Sequence, residues 1–415
     1  MMRKIGLGSC LWLLIVNVSF ESASNDLSSN AQKGLIADKA SEKNIINKQV
    51  IPASKLIIVT LDGLRWQEVF TGADTLLLKD SEVVSNTQTL ENKFGAKDAV
   101  QRALKLMPFF HRVLKKQGVL IGNPIDNQSV KLTNDYYFSY PGYIEIYTGK
   151  VDPKIVSNAK VKTDTPNILE LLQNKHQYPN KVAFFGSWDV FPYIMRRGEH
   201  EVIINTGFES LAPNLAGLTQ KADIEHLQQL NMIFNNTPSP WETVRLDAFT
   251  HAYAMTYLRN VKPQVMAISY GDTDDFAHDG EYDQYLHAAH RTDKMIAELW
   301  NYIQHDPYYK NQTHLLITSD HGRGSSKADW QHHASEKAVQ GYMKGLSKFP
   351  KGIIGSDQVW IAGIGPNIKS APQGRFDDVK LTQFAPTALV LLGECQLATN
   401  LAQPISEILE TNPCD

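Results

Sequence analysis

The chain has 415 residues, 42% of them hydrophobic and 20% charged, with a formal net charge of −3. That is enough apolar material for one large α/β domain with insertions. The near-even charge balance gives no reason to expect nucleic acid or an anionic membrane as a partner, and no charge run or internal repeat stands out.

Met1-Met2-Arg3-Lys4 is a basic start, Ile5 to Phe20 an apolar run, and Glu21-Ser22-Ala23-Ser24 offers small residues for cleavage. Residues 1–24 therefore read as an export signal, which sends the chain to a periplasmic or secreted location and leaves no transmembrane span in the mature protein. Leu7-Gly8-Ser9-Cys10 has the look of a lipoprotein box, but most of the apolar run follows it instead of preceding it. Residues 25–52, rich in Ser, Asn and Lys, read as a polar linker, and 53–415 as a single folded domain.

The first strand is Leu56-Ile57-Ile58-Val59-Thr60-Leu61, a nearly unbroken apolar run halted by Asp62-Gly63. Such a run suits a strand covered on both faces. Helical spacing runs from Ala96 to Gln117 and stops at Gly118. In Phe138-Ser139-Tyr140-Pro141-Gly142, the proline favours the first helical turn, so Ser139 is placed at or beside a helix N-terminus. There the free N–H groups and the helix dipole favour an alkoxide or a phosphate. Asn158 lies nineteen residues past Ser139. Thr165-Pro166 marks another helix start, and Lys181 to Gly186 another buried strand. Residues 188–240, with Trp188, Phe191, Tyr193 and the basic pair Arg196-Arg197, are less regular and read as a cap insertion near the site.

Long amphipathic helices are expected over 242–260 and 281–304. Between them lies Val265-Met266-Ala267-Ile268-Ser269-Tyr270, a strand running into Gly271-Asp272-Thr273-Asp274-Asp275-Phe276-Ala277-His278. The strand His314 to Thr318 runs into Ser319-Asp320-His321-Gly322, followed by Trp330-Gln331-His332-His333. A late strand is expected over 359–363 and a final helix over 384–392, stopped by Gly393. Alternating strands and helices imply a mostly parallel sheet with helices on both faces. In such sheets the loops at the carboxyl ends of strands carry the chemistry. Two Asp/His clusters and the Asp62 carboxylate at such ends suggest two metal ions, with zinc suited to the mixed donors. A calcium loop starting at Asp272 is excluded because its sixth position is Ala277, where glycine is required.

The ordered set of strand-Asp62, Ser139 before Pro141, Asp274-x-x-x-His278, Ser319-Asp320-His321-Gly322 and a late histidine resembles the alkaline phosphatase superfamily. The branch it resembles is the type I phosphodiesterase/nucleotide pyrophosphatase-like one, and the resemblance spans residues 56 to about 393. It implies an alkaline-phosphatase-like catalytic domain with two Zn²⁺ per chain. One ion would be held by Asp274, His278 and the late histidine, and the other by Asp62, Asp320, His321 and the Ser139 oxygen. His333 is preferred over His332 because it stands three residues after Trp330. Ser139 would be the nucleophile, forming a phosphoseryl intermediate, while Asn158 would donate to a phosphoryl oxygen and Arg196 and Arg197 would add phosphate contacts. The implied partner is a small-molecule phosphate ester, monoester or diester. A sulfatase is the alternative enzyme, but its C/S-x-P-x-R motif has Tyr143 at the arginine position here. A non-catalytic metal-binding protein is the alternative outside enzymes. Oligomeric state is not legible.

Loss of the signal removes Cys10 and leaves Cys395 and Cys414. One even pair in an exported chain reads as a disulfide, tying the tail 395–415 to the end of the last helix and leaving no thiol for catalysis.

Overall fold

The computed structural model describes residues 55–178, 181–372 and 374–414, so the expected signal (1–24) and linker (25–52) lie outside the described residues. Among the described residues there are ten strands: β1 (Lys55–Leu61), β2 (Val119–Ile121), β3 (Val130–Lys131), β4 (Val182–Gly186), β5 (Ile203–Thr206), β6 (Val265–Tyr270), β7 (Thr313–Thr318), β8 (Gln358–Val359), β9 (Ile361–Ile364) and β10 (Val379–Lys380). Seven form a sheet in the order β2-β9-β7-β1-β6-β4-β5, and β10-β3-β8 form a small second sheet. The pairs β7-β1, β1-β6, β6-β4 and β4-β5 are parallel. The strand β9 runs antiparallel to both its neighbours, so it alone opposes the rest of the large sheet.

Alternation along each strand divides the interior into two cores. Ile57, Val59, Met266, Ile268, Leu315 and Ile317 face one core with Tyr253, Leu258, Leu286 and Ile296, which come from the helices Asp247–Val261 and Tyr282–His305. Leu56, Ile58, Val265, Ala267 and Leu316 face the other with Tyr140, Ile144 and Tyr147 of the helix Ser139–Thr148 and Leu389 of the helix Phe384–Leu391. Helices therefore cover both faces, as the continuous apolar strands required. Among the described residues, no helix is long and apolar enough to cross a membrane.

Several boundaries differ from the sequence reading. The stretch 96–117 is not one helix: Ala99–Leu106 ends before Pro108, which restricts the residue before it, and a wide turn follows at Phe110–Leu114. The Asp293 carboxylate accepts the N–H groups freed there, from Phe109 at 2.9 Å and Phe110 at 3.0 Å. The helix expected from Thr165 begins at Ile168, because Asn167 supplies the cap by accepting from Glu170 N. The helix expected from Glu242 begins at Asp247. The late strand is divided at Trp360 between the two sheets, and the last helix is followed by a further turn, Cys395–Ala398. The segment 188–240 is not wholly a cap. It contributes β5, the edge strand of the large sheet, and the helix Lys221–Asn236.

Cys395 and Cys414 form the expected disulfide. Replacing both with serine frees a loop with a sequence separation of 19. The expected loss is about 3 kcal/mol of unfolding free energy in the chain-entropy model, measured by urea unfolding of the oxidised parent and the double variant. An unchanged midpoint would show that the tail adds nothing to stability.

Candidate metal centre

Three neighbouring parallel strands deliver the acidic and imidazole groups. Asp62 follows β1, Asp320 and His321 follow β7, and the short helix Asp272–His278 follows β6 and carries Asp274 and His278. Ser139 opens the helix Ser139–Thr148 with Phe138 as its cap residue, so the expected placement at a helix N-terminus holds. Ser139 Oγ stands 3.4 Å from Asp62 Oδ1 and 3.3 Å from His321 Nε2.

The donor atoms form two overlapping groups, Asp62/Asp320/His321 and Asp274/His321/His333, each with its atoms within 4.8 Å of one another. His278 Nε2 lies 3.0 Å from His333 Nε2 and 3.2 Å from Asp274 Oδ2, so it joins the second group from its more exposed edge. His321 Nε2 lies 3.3 Å from Asp62 Oδ1, 3.5 Å from Asp274 Oδ1 and 3.6 Å from Asp320 Oδ2. His332 turns away towards Phe349, so the choice of His333 as the late histidine agrees with the geometry.

Backbone carbonyls hold two of the imidazoles through Nδ1. His321 Nδ1 faces Gly322 O at 2.9 Å and His333 Nδ1 faces Tyr137 O at 3.1 Å. A carbonyl opposite Nδ1 fixes a proton there and turns Nε2 to the centre. Burial and the neighbouring His321 push His278 and His333 below the ordinary imidazole range. Burial also lowers His321, but Asp320 and Asp62 outweigh it and hold the ring at about 9. Asp320 is pushed well above the carboxylate range by burial and by Asp62. Its Oδ1 accepts from Gly63 N at 3.1 Å, while Oδ2 is fully buried with no hydrogen-bond partner. A buried carboxylate oxygen with nothing to bond is costly unless a cation meets it. Carboxylate and imidazole donors around that atom fit divalent ions of the zinc kind.

Arg323, which sequence reasoning missed, ties three of these segments together. It donates from Nε to Gly63 O at 3.1 Å, from Nη1 to Gln331 O at 2.7 Å and from Nη2 to Asp274 O at 3.0 Å, and its Nη2 also contacts the Asp274 carboxylate. Its only signal in the sequence was its place directly after Ser319-Asp320-His321-Gly322. Gly63 has φ of 57°, and a Cβ there would stand 2.5 Å from Asp274 Oδ1, so only glycine fits between the arginine and the aspartate. The Asp272–His278 helix is braced against the Asp247–Val261 helix. Asp247 accepts from Gly271 N and Asp272 N, and Asp272 Oδ1 accepts from Asp247 N.

A cavity of about 410 Å³ opens onto Asp62, Ser139, Asp274 and His278. Asn158 lines it and holds the start of the Ser139 helix, accepting from Tyr140 N at 3.0 Å through Oδ1, which leaves its NH₂ group for the cavity. Trp188, Val190 and Tyr342 form much of the rest of the wall, and Asp275 is part of it. Arg196 and Arg197, expected to contact phosphate, do not line it. Arg196 is taken by Glu170 and Thr163 O, and Arg197 by Glu209 and Ile204 O. The basic residue in the wall is Lys160, paired with Asp189 at 2.7 Å and the one lysine or arginine among the lining residues.

The sequence model of the type I phosphodiesterase/nucleotide pyrophosphatase family matches residues 196–376. Among solved structures, a mutant of alkaline phosphatase PafA is similar with a TM-score of 0.52 and 12% identity, covering 86% of this chain and 99% of that chain. A protein in the alkaline phosphatase superfamily from Vibrio parahaemolyticus is similar with a TM-score of 0.46 and 13% identity. That match covers 82% of this chain and 66% of the Vibrio chain, so this chain spans slightly under two thirds of that protein. The lipoteichoic acid synthase LtaP from Listeria monocytogenes gives a TM-score of 0.46 and 12% identity over 88% of this chain and 77% of that one. Of the three, the PafA likeness shows the shared fold. No curated protein matches the chain.

The Ser139 helix approaches the Asp320 turn backbone to backbone, because a Cβ on Gly142 would stand 2.1 Å from Asp320 O. Gly142→Ala is expected to push the serine helix off the centre and to cost about 1–3 kcal/mol as an overpacked contact, read by urea unfolding. Wild-type stability in that variant would mean the two segments are not in contact.

Proposed function

Since the chain has the alkaline phosphatase fold and a type I phosphodiesterase/nucleotide pyrophosphatase segment, we propose that it is an exported hydrolase of phosphate esters. Ser139 is its nucleophile, and two divalent ions, zinc by their donor set, complete the centre. One observation carries the reading: Ser139 Oγ stands at a helix N-terminus within 3.4 Å of Asp62 Oδ1 and 3.3 Å of His321 Nε2, beside the unsatisfied Asp320 Oδ2.

Asp62, Asp320 and His321 would hold one ion, and Asp274, His278 and His333 the other. Bound there, the ions supply Lewis-acid stabilisation of the serine oxygen and of the charge on the phosphoryl group. The chain's own groups supply the rest. The N-terminal N–H groups of the Ser139 helix favour negative charge at Oγ and on the incoming phosphate. Ser139 Oγ gives up its proton and attacks phosphorus, the ester oxygen departs with its electron pair and takes up a proton, and a phosphoseryl intermediate forms. Water then loses a proton and attacks the same phosphorus, the serine oxygen leaves and is reprotonated, and phosphate is released from a monoester or a phosphate monoester from a diester. The Asn158 amide donates to a non-bridging oxygen. Lys160 leaves Asp189 to meet the remaining charge of the substrate, the role first assigned to Arg196 and Arg197. Trp188, Val190 and Tyr342 enclose the leaving group. The Cys395–Cys414 disulfide supports an oxidising, extracytoplasmic compartment.

The test is a comparison of p-nitrophenyl phosphate with bis-p-nitrophenyl phosphate on the zinc-loaded protein. Ser139→Ala is expected to lower kcat/KM on the better ester by about a thousand-fold or more. Cleavage by the alanine variant at the parent rate would remove Ser139 as nucleophile. Lys160→Ala is expected to raise KM for the doubly charged monoester more than for the diester. An equal effect on both would place Lys160 outside the phosphoryl site.

A further inference from the structure

Tyr143 follows Ser139 by one helical turn, so the two side chains share a face of the same helix, and the ring is fully buried. Its phenol donates to Asp62 Oδ2 at 3.0 Å. The other carboxylate oxygen, Oδ1, is the one that faces Ser139 Oγ at 3.4 Å and His321 Nε2 at 3.3 Å. The phenol is itself held: it accepts from Ser269 Oγ at 3.3 Å, and Ser269 Oγ lies 2.6 Å from Thr60 Oγ1. Thr60 and Ser269 are register partners on β1 and β6, so this run of hydroxyls is anchored in the middle of the sheet. Phe191, edge-on at 4.8 Å, and the cavity-wall residue Trp188, at 6.5 Å, pack against the ring.

We propose that Tyr143 is the positioning residue of Asp62. It commits Oδ2 to the phenol and presents Oδ1 alone to the ion shared with Ser139, Asp320 and His321. The inference rests on the two-ion reading above. Without the phenol, the carboxylate is free to turn about its Cβ–Cγ bond and to offer either oxygen or both. A hydroxyl is the donor this position calls for, because it orients the carboxylate without neutralising it, whereas a guanidinium there would cancel charge meant for the ion. Outer hydrogen-bond partners of this kind typically set metal affinity or activity by 10–100-fold.

The experiment uses the full chain and Tyr143→Phe, which keeps the ring and removes only the hydroxyl. Zinc-loaded protein is titrated with a chelator, and bound metal is counted per chain. The wild type is expected to hold two ions. The variant should hold one at wild-type affinity and the other about 10–100-fold more weakly, with kcat falling more than KM changes. Two ions at wild-type affinity in Tyr143→Phe, or equal weakening of both, would overturn the proposal. Should that variant not fold, Ser269→Ala removes the hydroxyl behind the phenol. It is expected to weaken the same single ion to a smaller degree, and no weakening overturns the proposal equally. A wild type holding fewer than two ions would instead overturn the two-ion reading and this inference with it.

Discussion

Gathering three carboxylates, two of them buried, at the ends of adjacent strands is the constraint around which the molecule is arranged. Asp62, Asp274 and Asp320 face one small space, and two of them are almost wholly inaccessible to solvent. Like charges so placed are tolerated only with compensation from cations, donors or dipoles. The structure supplies each kind. Arg323 meets Asp274, Tyr143 meets Asp62, Gly63 N meets Asp320, and His321 lies between them. What remains unmet, above all Asp320 Oδ2, is what the proposed ions would meet.

The site also lies where the two cores adjoin. The Ser139 helix belongs to the core on one face of the sheet, whereas Tyr270, Ala277 and Tyr282, which flank the Asp274 helix, belong to the core on the other. Ser139 and the Asp274 helix are thus carried by separately packed layers on the two faces of the sheet. This explains the number of ties across the junction: Thr273 Oγ1 to Asp62 O at 2.5 Å, the phenol of Tyr143, and the three carbonyls bonded by Arg323.

Much of this was legible because the informative segments are local. β1, β6 and β7 are runs of apolar residues ended by Asp-Gly, Gly-Asp and Ser-Asp, and both the strands and the turns after them fall where the pattern puts them. Ser139 before Pro141 reads as a helix start for the same reason. The partners of side chains are not local. Nothing near Arg196 and Arg197 announces Glu170 and Glu209, which take their charge. Lys160 looks like any surface lysine until the chain folds it beside Asp189. β5 is a four-residue edge strand of mixed polarity, Ile203-Ile204-Asn205-Thr206, too short for its pattern to stand out. The break at Pro108 was visible, but the apolar spacing runs through it on both sides and masks it.

Arg323 gives the candidate centre a frame that the chain supplies by itself. Its guanidinium is covalently part of the chain and reaches Gly63, Asp274 and Gln331 whether or not any ion is at hand. The three segments are therefore gathered by a cation that belongs to the chain itself. The frame around the candidate centre is braced by the chain's own side chains, so the proposed ions would enter a cage whose walls are already tied together.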